Sequence, residues 1–231
     1  MRYAQSKWIF PLLFLIVVFL AFSLPPYLSL EPARSRVPEN TALPGQFWWL
    51  VAHVVFGSVA LLGGALQVWP WLRQARPALH RRVGRLYVFG GALPAAATGL
   101  VLGVFTPFGP VAGASSVLLA LLWFGTTLAG WRAARRHRFR EHRRWMIRSY
   151  VLSASIISNR LWGIVIAIFV LPTLPTKIAD DPQLTMWTIG GLTTWLGWTI
   201  PLLLAEAWLE RPPRRPESPT PRPEAVATVT P

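Results

Sequence analysis

Three polar side chains stand inside stretches otherwise apolar enough to cross a membrane. His53 lies in QFWWLVAHVVFGSVALLGGALQVW, and Asn159 and Arg160 lie in RSYVLSASIISNRLW, where no charge separates Arg148 from Arg160. An imidazole at such depth can hold a haem iron through one ring nitrogen, or relay a proton. A guanidinium there can meet a haem propionate, a quinone oxygen or a lipid phosphate with its planar fork. Left unpaired, an arginine deep in a span costs about 2.5–3.5 kcal/mol on insertion scales, so something must offset it. An internal clamp through Asn159, helix carbonyls or a neutral partner on another span is one solution. No carboxylate of any span lies at the level of Arg160, which tilts the balance toward a ligand or a water-filled cavity.

A second set gathers toward the other ends of the same stretches: His80, His142 and Glu206, with Gln67, Tyr87, Arg148 and Ser149. His80 and His142 could ligate one haem or a metal, with Glu206 nearby as a carboxylate. The alternative is that they are interfacial residues among arginines, capping helices and pairing with Glu206 or lipid phosphate. The surrounding arginines disfavour a bound divalent cation, so the interfacial role is the stronger expectation and no metal site is expected.

The elements that must position these groups follow from hydropathy. Of 231 residues, 53% are hydrophobic, and they fall in long uncharged blocks rather than scattered along the chain. Blocks begin at Trp8, Gln46, Leu86, Ser149 and Leu184, and the one from Leu86 to Trp131 is broken by TPFGPVAG at 106–113. A hydrocarbon core of roughly 30 Å takes about 20 apolar residues of helix. The broken block is therefore two spans, and the fold class expected is an all-α, polytopic membrane bundle of six helices. Residues 1–28 form an uncleaved first span, 46–208 a five-helix bundle, and 209–231 a disordered Pro- and Arg-rich tail.

The net charge of +14 could suggest nucleic acid, but its distribution argues otherwise. Arginine clusters in 72–85, 132–148 and the tail, whereas the alternating segments 29–45, 106–113 and 172–184 are far less basic. This is the positive-inside pattern, with both termini cytoplasmic and the chain in the cytoplasmic membrane. Membrane lipids are the expected partners, and nucleic acid is not. Cysteine is absent, which excludes disulfides, thiolate metal sites and thiol nucleophiles. Hydrolytic triads, HExxH and paired intramembrane carboxylates are also missing from the sequence, so enzymatic activity is neither indicated nor ruled out.

Helical arithmetic orients the polar groups. His53, Gly57, Ala60, Gly64 and Gln67 keep to one stripe at 3.6 residues per turn, so His53 points into the bundle. His80, Gly84, Tyr87, Gly91, Pro94 and Thr98 share a stripe on the third span, and His142, Ser149, Ser153 and Arg160 share one on the fifth. Thr188, Trp195, Thr199 and Glu206 do so on the sixth. At 1.5 Å per residue, His53 and Arg160 fall within about a turn of one level, roughly 10–15 Å below the outer surface. Trp195 and Trp198 could line a pocket, although packing is their more ordinary role.

LHRRVGRLYVFGGAL at 79–93 and HRRWMIRSYVLSASIISNRLW at 142–162 resemble a family of bacterial predicted membrane proteins catalogued as domain of unknown function 2306. The resemblance covers about 46 to 208 and rests on His53; on His80, Gly84, Arg85 and Tyr87; on His142, Trp145, Met146, Arg148, Ser149 and Tyr150; and on Arg160 and Glu206. It implies a membrane bundle and brings no reaction with it. Helices with histidines near their ends are also similar, more distantly, to haem b membrane cytochromes.

Three functions compete on these observations. The first is a redox or binding protein holding a haem- or quinone-like anionic cofactor through His53, Asn159 and Arg160, with haem b the named example. Another is a small-molecule or proton-coupled transporter with the same residues in a central cavity. The last is an accessory protein whose polar layers only orient helices. A haem held by two histidines needs both at one depth, and His53 has no such mate, so a single axial ligand is the form haem would take.

Overall fold

Lipid offers backbone N–H and C=O groups no hydrogen-bonding partner, and a helix satisfies them within its own segment. Each uncharged block accordingly forms a helix. The structure, a computed structural model, describes residues 7–211. Six helices dominate: α1 (Ile9–Ser23), α2 (Gln46–Val68), α3 (Pro77–Val104), α4 (Gly109–Arg135), α5 (Phe139–Phe169) and α6 (Pro182–Leu209). The last five are long and apolar enough to span a membrane. The first is a shorter apolar helix continued by a turn at Pro25–Leu28. No strand occurs among the described residues. The tail expected from 209 onward lies almost wholly outside them.

The basic stretches that read as loops are mostly helical. Between α4 and α5 only residues 136–138 are non-helical, and 72–85 is split between Pro70–Ala75 and the start of α3. Arginine is a good helix former, and Arg132 and Arg135 lie in the last turn of α4, where the helix dipole favours cations. At 31 residues, α5 is about 46 Å long, more than a bilayer core requires, so its basic first turns project beyond the apolar zone.

The break expected near 106–113 is a tight reversal after Val104. Gly109 opens α4 at φ +85, a left-handed conformation that suits glycine, and Trp187 Nε1 donates to Pro107 O at 3.2 Å across the turn. Inside α3, Leu86–Ala92 winds as a wider π-helical stretch. Pro94 follows it. Proline has no N–H and its ring crowds the carbonyl four residues back, and a locally wider turn relieves that conflict.

Packing follows small residues. The α2 stripe faces inward as the spacing requires: Gly91 of α3 sits directly against the Ala60 backbone, and Gly64 abuts the rings of Tyr150 and Tyr87. α6 lies along α5 and α4, and α3 lies between α2 and α4. α2 and α5 touch much less, and α1 leans over that gap, with Ile16 and Leu20 against Leu61, Ala65, Ala154 and Ile157.

One polar chain ties α3, α4 and α5 together. Thr127 Oγ1 donates to the Trp123 carbonyl at 2.7 Å. A carbonyl only accepts, so Ser149 Oγ must donate to Thr127 and Tyr87 Oη to Ser149, both at 2.7 Å. All three side chains are at most 1% exposed. The chain's proton order is fixed and ends on a backbone oxygen, so it works as a clamp and not as a proton route. Ser149→Ala should lower stability by about 1–3 kcal/mol, because it strands the Tyr87 hydroxyl in an apolar core. Adding Tyr87→Phe should recover part of that loss in detergent thermal unfolding. A double variant no more stable than Ser149→Ala would show that the hydroxyl was not the cause.

Candidate functional site

His53 lies about two turns into α2 from Gln46, roughly 10 Å along the axis. Its Nδ1 is 2.9 Å from the Ala95 carbonyl and 3.3 Å from Thr98 Oγ1. The Thr98 hydroxyl is itself committed to Pro94 O at 2.9 Å and Ala95 O at 3.1 Å. With acceptors on that side, Nδ1 carries the proton. In the neutral ring Nε2 then presents a lone pair, the arrangement that orients and strengthens a histidine ligand. Gly99 makes the pose sterically available, since a Cβ there would stand 3.0 Å from His53 Cε1.

The imidazole lines a cavity of about 810 Å³ to which all six helices contribute. This volume is within the roughly 300–1,000 Å³ of small-molecule and cofactor sites. Asn159 and Arg160 line the same cavity, so His53 shares it with two candidates more than a hundred residues away in sequence. They form no hydrogen bonds with one another. Asn159 is held by its backbone, which packs on Gly197. Arg160 is exposed and forms no ion pair among the described residues.

Three residues of the lining also carry polar atoms buried away from the cavity. Four buried side-chain polar atoms lack a hydrogen-bond partner among the described residues: Ser23 Oγ, His80 Nδ1, Trp123 Nε1 and Ser153 Oγ. Ser23, Trp123 and Ser153 all line the cavity. Those three atoms are themselves closed off by their neighbours, so they show where the packing behind the cavity lining is least satisfied and not what an occupant touches. Trp198 lines the cavity too and donates from Nε1 to Ser115 Oγ at 2.9 Å, whereas Trp195 is spent on the Val111 carbonyl and stands outside it.

The second set of candidates does not join this site; none of His80, His142 and Glu206 lines the cavity. Glu206 takes both nitrogens of an arginine fork: Arg148 Nε donates to Oε1 at 2.5 Å and Nη2 to Oε2 at 2.6 Å. The Arg148 guanidinium also lies 4.8 Å from the Trp145 ring centroid. His142 Nδ1 is 2.9 Å from the Gly130 carbonyl, and so joins α5 to α4. Gln67 Nε2 donates to the His80 carbonyl at 2.9 Å, which fixes the start of α3 against the end of α2. Among the described residues no three His, Cys, Asp or Glu side chains gather.

The segments 79–93 of α3 and 142–162 of α5 meet inside one bundle through the Tyr87–Ser149 hydrogen bond. A family model described as predicted membrane protein, DUF2306, matches residues 50–209, well over half of the chain. The chain belongs to this family. No curated protein and no solved structure matches it. The DUF2306 segment covers α2 from Leu50 to the end of α6, and so carries His53, Asn159 and Arg160. It leaves out α1 and the connection to α2, which supply Ser23 and part of the cavity wall.

Ala95, Gly99, Ser23 and Trp123 were not apparent as site residues from spacing alone. One signal was present in the DUF2306 segment: Gly91, Ala95, Gly99 and Gly103 recur every four residues along α3. Such a groove of small residues lets a neighbouring side chain reach backbone carbonyls, and His53 does so.

Proposed function

We propose that this protein is a binding or redox protein of the cytoplasmic membrane, with its basic end inside, that holds an amphipathic, oxygen-bearing cofactor of quinone or haem type. The observation that carries the reading is the pose of His53: Nδ1–H fixed on the Ala95 carbonyl, with the ring on the wall of a cavity large enough for a cofactor. A quinol hydroxyl can donate to Nε2, and a haem iron can take the same lone pair as a single axial ligand. Arg160 supplies a donor fork for the ligand's oxygens.

Binding is measurable through tryptophan, since Trp123 and Trp198 stand on the cavity wall. A short-chain quinone titrated into the detergent-purified full chain should quench tryptophan emission saturably. The absorption spectrum of protein extracted from its own membrane tests haem through its Soret band. His53→Ala should weaken quinone binding by about tenfold, the loss of roughly one good hydrogen bond in an apolar site. Absence of saturable quenching together with absence of a Soret band after haem supplementation would remove this reading. A His53→Ala protein that merely unfolds earlier, with ligand binding unchanged, would instead support a purely structural role.

A further inference from the structure

The charge on the cavity wall is one-sided. Arg36 and Arg160 both line it, and no carboxylate does. Neither arginine forms an ion pair among the described residues, and Glu31, on the same connection as Arg36, pairs with Arg34 at 2.7 Å. Arg36 comes from the connection between α1 and α2, outside the matched segment, and its guanidinium rests 4.2 Å from the centre of the Phe22 ring. That stacking occupies one face of the planar group and leaves its N–H edge for an acceptor. The rest of the wall is largely apolar, with Leu20, Leu50, Leu61, Leu152, Ile156 and Ile164.

Two exposed cations without ion pairs among the described residues, beside an apolar hollow, suit an occupant with the opposite pattern. We infer that the ligand of this cavity is a membrane-borne amphiphile whose anionic head, a phosphate or carboxylate group, is held by both Arg36 and Arg160 while its apolar body lies along α2 and α5. Arginine suits such a head because its fork matches two oxygens at once. The inference rests on the cavity being a ligand site, as proposed above, but not on the ligand being redox-active. It also gives the N-terminal segment a role, since Arg36 supplies half of the head-group contact.

The test uses the full chain in a neutral detergent, with bound lipid counted by native mass spectrometry. Dioctanoyl phosphatidic acid is compared with dioctanoyl phosphatidylcholine, which has the same chains and no net charge. Phosphatidic acid should bind at a single saturable site, about tenfold or more tighter than phosphatidylcholine, the usual scale of a charge-assisted contact. Arg36→Gln and Arg160→Gln should each remove most of that preference, and Arg34→Gln should leave it unchanged. Equal binding of the two lipids by the wild-type protein would overturn the inference without recourse to any variant. So would displacement of phosphatidic acid by glycerol 3-phosphate at matching concentration, because the site would then serve a soluble anion. Retention of the preference in either Arg36→Gln or Arg160→Gln would overturn the two-arginine clamp. Quinone quenching sensitive to His53 would survive all of these outcomes if the cofactor reading is correct. Loss of quenching with the lipid preference intact would sink that reading and leave this one standing.

Discussion

Gly91→Val should destabilise the protein by about 3 kcal/mol, the upper part of the usual range for overpacking a core. A Cβ at this position would stand 2.8 Å from Ala60 N and 2.9 Å from Ala60 Cα. Those are backbone atoms of α2 and cannot rotate aside, so the two helices must separate. Gly91 and Ala95 are four residues apart and occupy the same face of α3, next to one another along the contact. Separation there should also lengthen the hydrogen bond from His53 to Ala95 and weaken any ligand that depends on that imidazole. Gly125 is the control, since a Cβ there would meet nothing within 4 Å. Gly125→Ala should be neutral or gain up to about 1 kcal/mol from helix propensity. Thermal unfolding in detergent decides the matter: a Gly91→Val protein that melts with the Gly125→Ala variant would mean that α2 and α3 are not in this contact.

Glu206→Ala should cost about 2–3 kcal/mol by the same measurement. Its carboxylate accepts both arms of Arg148, and the two side chains are 30% and 17% exposed, so neither is freely solvated. Removing one partner leaves a partly buried charge without its match, which is why truncating such a pair costs more than the pair contributes in place. Arg148→Ala should lose a similar amount, plus the contact with the Trp145 ring. The double variant should be less unstable than the sum of the singles, with a coupling of about 1–3 kcal/mol. Strict additivity would show that the fork contributes nothing to holding α5 against α6. Because this pair stands away from the cavity, cofactor and lipid binding should persist in whatever fraction stays folded.

Individual residues show how much of this could be read from the chain. The inward stripe of α2 was legible because small residues recur at helical spacing, and Gly57, Ala60 and Gly64 do face the bundle or its cavity. The expectation that His53 and Arg160 lie near one level came from the constant rise per residue, and the two do line one cavity. The partner of Glu206 was not. Arg148 is 58 residues away, and several arginines at the same end were equally eligible by depth. The extent of α4 and α5 was also hidden, since a basic stretch reads alike as loop or helix until neighbouring helices decide how far the turns continue.

By itself, the sequence determined that this is an all-α membrane bundle and which blocks of the chain are apolar enough to form its helices. Those properties depend on hydropathy and on the pitch of one helix at a time, and both are local. Only the tertiary structure decided which carbonyl holds His53, that Arg36 and Arg160 line one cavity, and that Glu206 is engaged by Arg148 and not by a histidine. These depend on the rotation and contact of one helix against another, fixed by side chains such as Gly91 and Gly197 that carry no chemistry of their own.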